Sequence, residues 1–173
     1  MARMNRKIVT AGWLFSLLLA VDILTKQWAL DSIHGTESFG FIPLTLTYNT
    51  GVAFGLGVGG FRWIIVGGSI LVMCALTVLL RQADPADRLR VAAISAVMAG
   101  ATGNLIDRLR WDKGVVDFIG PFNIFGLGHF PIFNVADMAI TCGAFVLAIS
   151  LWLEERAAEQ QPKPAVETST EVI

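Results

Sequence analysis

The chain has 173 residues, 54% of them hydrophobic and 16% charged, with a formal net charge of -1. A soluble core of this size does not need so much apolar side chain, so the composition points to a membrane protein. It also argues against nucleic-acid binding, because no Lys/Arg cluster interleaved with aromatics occurs.

A bilayer-spanning helix needs about 20 mostly apolar residues, and four stretches qualify: Ile8 to Ala29, Phe61 to Leu80, Val91 to Leu109 and Val135 to Leu153. They predict an all-α polytopic protein, one four-helix domain over residues 1–156. Arg3, Arg6 and Lys7 ahead of the first stretch resemble the start of a secretory leader. Apolar character resumes after Asp22 and Lys26 and no small-residue cleavage pattern appears, so a retained helix is expected. Asp22 and Lys26 lie four apart, on one helical face. Two readings stay open for them: a local ion pair that neutralises two membrane charges, and a functional role. At 1.5 Å per residue Asp22 sits about 21 Å from Ile8, in the outer third of a hydrocarbon core of roughly 30 Å.

Between the first two spans, Leu44, Thr45, Leu46 and Thr47 alternate, and Tyr48-Asn49-Thr50-Gly51 follows. Alternation with β-branched residues and a Gly-bounded turn predicts a small β-structure, with a plain connecting loop as the alternative. An extended edge there suits strand addition by a substrate backbone. The third span carries Asn104 and Arg108, again four apart, with Asn104 about 20 Å from Val91. Asp107, adjacent to Arg108, is expected on another face as a surface or snorkelling partner. Lys26 and Arg108 each look like an anion-binding cation.

Asp117 and Asp137 bracket a loop rich in aromatics and glycine, and Asn134 stands just before the fourth span. Two neighbouring carboxylates that do not both ionise easily make a general acid/base pair. Asp22, Asn104, Asn134 and Asp137 fall at one depth, and polar groups buried in a membrane usually mark a working site. The loop from Gly120 to Phe130 is a candidate cover for it. His34 and His129 lie in separate loops without ligand-spaced companions, and Cys74 and Cys142 sit mid-span, so neither a metal site nor a disulfide is expected. From Ala157 onward the tail, residues 157–173, lacks apolar periodicity and is expected to be disordered.

Basic residues cluster before the first span, between the second and third (Arg81, Arg88, Arg90) and after the fourth (Arg156, Lys163), whereas Asp31 to Gly60 contains none. This bias predicts cytoplasmic termini and a site at the outer leaflet.

The ordered motifs resemble the lipoprotein signal peptidases, signal peptidase II, over nearly the whole chain to about Leu153. Asp22-Ile23-Leu24-Thr25-Lys26 is similar to the family's first-helix motif, Asn49-Thr50-Gly51-Val52-Ala53-Phe54 to its Asn-Thr-Gly box, and Gly103-Asn104-Leu105-Ile106-Asp107-Arg108 to its third-helix box. Val115-Val116-Asp117-Phe118 and Phe133-Asn134-Val135-Ala136-Asp137 resemble its two aspartate motifs. The resemblance implies an aspartic endopeptidase of the bacterial inner membrane, acting without a cofactor or metal. Its substrates would be diacylglyceryl-modified prolipoproteins held among membrane lipid, cut on the amino side of the lipidated Cys. Asp117 and Asp137 would be the catalytic dyad, Asn49, Asn104, Arg108 and Asn134 would hold substrate or support the dyad, and Asp22 with Lys26 would be a structural pair. Gly55, where many relatives carry Ser, and Phe130, where Trp is common, depart from the pattern and bear on substrate fit. A proton-coupled transporter would also bury Asp and Lys, but no internal repeat is evident. A membrane scaffold would leave the two aspartates without a task.

Overall fold

The computed structural model describes residues 2–51, 58–123 and 128–160. Four helices are long and apolar enough to cross a membrane: α1 (Ala2–Ser32), α2 (Val58–Gln82), α3 (Arg88–Arg110) and α4 (Val135–Glu159). Each runs past its apolar stretch. At the start of α3, Asp87 accepts the Arg90 backbone N–H at 2.9 Å, satisfying a donor that has no partner within the helix. Helix α4 runs through Ala157, Ala158 and Glu159, into the segment expected to be disordered. Ala and Glu are strong helix formers, so the apolar pattern ends before the helix does. Residues 161–173 lie outside the described part.

The small β-structure is present, with a strand that the alternation did not reveal. Strands β1 (Thr36–Phe39) and β2 (Ile42–Asn49) form a hairpin, and β3 (Val115–Ile119), from between α3 and α4, completes an antiparallel sheet in the order β1-β2-β3. Register pairs Thr47 with Asp117 and Asn49 with Val115. Gly114, with φ +100°, makes this closure possible, because a Cβ there would collide with the backbone carbonyl of Asn49. Beneath the sheet Ala29, Ile33, Leu44 and Phe118 form a buried cluster. Trp28 stands edge-on to Phe118 at 6.2 Å between ring centroids. The short pair β4 (Phe122–Asn123) and β5 (His129–Phe130) follows; residues 124–127, at the centre of the expected covering loop, lie outside the described part.

Helix α3 is the hub of the bundle. It packs on α4 through small residues: a Cβ on Gly100 would strike the Ala136 carbonyl, and one on Gly143 would press on Val97 and the Ala93 carbonyl. Close backbone approach of this kind brings the first turn of α4 beside the last turns of α3. Large apolar side chains such as Trp13, Leu71 and Phe145 point outward, as a lipid-facing surface requires.

Candidate active site

The chain places Asn134 at the start of α4, where its side chain accepts the Asp137 backbone N–H at 2.9 Å and its own N–H donates to Asp137 Oδ2 at 3.1 Å. This capping box orients Asp137. The Asn134 amide also donates to Asp117 Oδ1 at 2.7 Å, so one residue touches both carboxylates. Asn104, from α3, donates to Asp137 Oδ1 at 2.8 Å and accepts from Asn134 Nδ2 at 3.1 Å. Asp117 therefore arrives from a sheet, Asp137 from a helix start, and two asparagines join them.

Their surroundings differ. Asp117 is 1% exposed and its Oδ2 is buried with no hydrogen-bond partner recorded among the described residues, whereas Asp137 is half-buried and receives the two hydrogen bonds just described. Burial pushes the Asp117 carboxyl from its ordinary 3.8 up to about 6; the charge of Asp137 acts in the same direction, while the Asn49 and Asn134 side chains and Lys26 oppose it.

Behind the carboxylates lies a fully paired ionic support. Lys26 Nζ contacts Asp22 Oδ2 at 2.9 Å, Asp107 Oδ2 at 3.0 Å and Asn104 Oδ1 at 3.0 Å. Asp22 Oδ1 accepts the Ala136 N–H at 2.9 Å, and Asp107 Oδ2 accepts the Val116 N–H at 3.1 Å. The network thus ties α1 to α3, α4 and the strand of Asp117.

Two expectations are corrected here. Asp107 is a buried partner rather than a surface group, 8% exposed and paired with Lys26, because residues three apart on a helix are neighbours and Asn104 lies three residues back. Lys26 is no free anion-binding cation, because its ammonium already lies within 3.0 Å of the Asp22 and Asp107 carboxylates and donates to the Asn104 amide oxygen. Arg108 is half-buried; its Nη1 donates to the Asn104 carbonyl at 3.3 Å and its Nε has no hydrogen-bond partner among the described residues. Asn49 ends β2 with its Oδ1 on the Gly51 N–H at 2.8 Å. Arg62, in the second turn of α2, is a site neighbour that apolar patterning did not single out. Its side chain donates to the Arg108 and Leu109 carbonyls at 2.6 and 3.1 Å and pairs with Asp112, closing the end of α3. Among the described residues no three His, Cys, Asp or Glu side chains are grouped to hold a metal ion, and Gly55 lies outside the described part.

Residues 14–153 match the model of the family described as signal peptidase (SPase) II. The chain belongs to the signal peptidase II family. Among its relatives is a lipoprotein signal peptidase of Hydrogenovibrio crunogenus, 37% identical over 163 residues, which cover 90% of this chain and 93% of the relative. Another, from Pseudoalteromonas translucida, is 36% identical, with 86% and 92% covered. A bacterial membrane enzyme solved in meso at 1.9 Å superposes with a TM-score of 0.73 at 32% identity, covering 83% of this chain and 93% of that one. A second, solved at 2.3 Å, gives 0.74 at 30% identity, with 92% and 96% covered. This member of the signal peptidase II family is accordingly a multi-pass peptidase of the bacterial inner membrane.

Proposed function

We propose that this peptidase removes signal peptides from prolipoproteins by an aspartic mechanism, with Asp117 and Asp137 as the catalytic dyad. The observation that carries the reading is the bridge through Asn134, which holds two carboxylates from different elements in unlike environments. Asp117, buried and shifted up to about 6, is the carboxyl that carries the proton in the active form, whose share falls as pH rises above about 6; Asp137, hydrogen-bonded by Asn104 and the Asn134 backbone, is the base. Asp137 takes a proton from a water molecule whose oxygen adds to the scissile carbonyl carbon, while Asp117 donates its proton to the carbonyl oxygen. The tetrahedral intermediate collapses as the C–N bond breaks. Asp137 then passes its proton to the departing amine and Asp117 recovers its own from the intermediate's hydroxyl.

The substrate is a diacylglyceryl-modified precursor cut on the amino side of its lipidated Cys. Asn49 and Arg108 are its contacts beside the dyad, Asn104 and Asn134 hold the carboxylates, and Asp22 with Lys26 support them. A precursor whose apolar signal helix and acyl chains both lie in the bilayer suits a site at the outer leaflet, with both termini cytoplasmic, and the basic-residue bias supports that orientation. Mass spectrometry of the products from a purified lipidated precursor tests the reading. A new amino terminus at the modified Cys is expected, and cutting elsewhere, or equal cutting of the unmodified precursor, contradicts it.

A further inference from the structure

At the end of the bundle remote from the carboxylates, α1 and the turn between α2 and α3 enclose a cavity of about 720 Å³, lined by Arg6, Lys7, Thr10, Ala86, Arg88 and others. That volume lies within the roughly 300–1,000 Å³ of sites that hold small organic molecules. Arg88 begins α3, sixteen positions before Asn104, or about 24 Å along the helix, so this cavity is separate from the peptidase site.

Its charge is one-sided. The Lys7 ammonium, 5% exposed, is held by the carbonyls of Leu80, Arg81 and Ala83 at 2.9, 3.3 and 2.7 Å, which leaves its charge unneutralised by any acid among the described residues. Arg6 and Arg88 are exposed and have no ion pair among them. No acid is among the cavity's lining residues: Asp84, outside the cavity, accepts the Ala86 N–H at 2.7 Å, while Asp87 and Glu154 both pair with Arg90, at 3.2 and 2.6 Å. A second, apolar recess lies beside it. Lys7 is shared with an apolar groove of about 300 Å³ along Ile8, Ala11, Gly12, Phe15 and Met98, and a Cβ added at Gly12 would meet nothing within 4 Å.

We propose that this end of the bundle binds an anionic phospholipid, its phosphate between Arg6 and Arg88 and an acyl chain in the groove past Gly12. An anion answers the unneutralised basic cluster, and a chain answers the apolar groove that meets it at Lys7. A free anion would leave the groove unexplained, and a neutral lipid would leave the charge.

Native mass spectrometry of the full chain, released from nanodiscs containing phosphatidylglycerol and phosphatidylcholine, tests the proposal. The parent is expected to retain phosphatidylglycerol in preference. The double variant Arg6→Gln/Arg88→Gln should bind it about thirtyfold more weakly, each basic residue at a membrane surface being worth about fivefold. Gly12→Leu should weaken retention without a change in charge, and Arg110→Gln/Lys113→Gln, at the other end, should not. Equal retention of the two lipids, parent-like retention by the double variant, parent-like retention by Gly12→Leu, or the same loss in the Arg110/Lys113 variant would overturn the site. Displacement of the lipid by glycerol 3-phosphate alone would reduce it to a site for free anions and overturn the lipid assignment.

Discussion

Helices α2 and α3 are both membrane-spanning, yet they solve opposite problems. In α2 only 11% of the apolar window is buried within the protein, against 50% in α3. Helix α2 faces hydrocarbon and is apolar nearly throughout; α3 is surrounded by α1, α2, α4 and β3 and carries buried Asn104 and Asp107. The weaker membrane signal in α3 follows from its position, since side chains that face other protein elements need not be lipophilic. Polar groups are affordable in a bilayer only where partners are built around them, and the helix that provides those partners is the one on which the carboxylates are assembled.

The contrast breaks most severely at Lys26. Lys26→Met leaves Asp22 and Asp107 buried without their cation, which should cost about 3–5 kcal/mol, read as a large fall in the detergent-solubilised unfolding temperature. Adding Asp22→Asn and Asp107→Asn to Lys26→Met should recover much of it. A comparable effect from replacing Trp63, on the lipid-facing side of α2, would show that burial in α3 carries no special weight.

The carboxyl of Asp117 gives a pH dependence of defined sign. Its folded value of about 6 exceeds its unfolded 3.8, so the folded state holds the proton more tightly. The resulting stabilisation is fully present below pH 3.8 and is lost as pH rises through about 6, amounting to about 3 kcal/mol at 1.36 kcal/mol per pH unit. Unfolding temperatures from pH 4 to 7.5 should therefore fall in the parent relative to Asp117→Asn. Parallel curves for the two proteins would contradict a raised value.

Glycines sharpen the same comparison. Gly100→Ala and Gly103→Ala place a methyl against the Ala136 carbonyl and the Asp22 carboxylate, and should cost about 1–3 kcal/mol with loss of cleavage. Gly67→Ala and Gly68→Ala, where an added Cβ meets nothing within 4 Å, should be neutral or slightly stabilising. Smaller still is the effect expected of Arg108→Lys: retained charge but a lost planar fork, with cleavage falling about tenfold if two hydrogen bonds to substrate are lost. Arg110→Lys, whose side chain stacks on Trp111 at 4.5 Å, should stay within about twofold.

How much of this was legible before the structure follows from the same physics. Four spans stand out because lipid-facing helices must be apolar, and the i,i+4 spacing of Asp22 with Lys26 correctly put them on one face. The depth argument also brought Asp22, Asn104, Asn134 and Asp137 to one level, where hydrogen bonds join the last three and Lys26 links Asp22 to Asn104. Strand β3 was hidden because Val115, Val116 and Phe118 are buried on both faces, and a short continuous apolar run has no alternation to read. Asp107 was misplaced because a direction different from that of Arg108 was read as an outward one, although three-residue spacing from Asn104 already put it near the inward face. The saturation of Lys26 could not be read from any one helix, since its partners come from two.

The central claim is that two aspartates, bridged by Asn134, perform the cleavage together. The most direct test compares Asp117→Asn, Asp137→Asn and the parent on one purified lipidated precursor, with size exclusion confirming that each variant is folded. Both single variants should lose cleavage by about a hundredfold or more, because Asn keeps the shape of the side chain but carries no transferable carboxyl proton. Substantial cleavage by either folded variant would contradict the dyad.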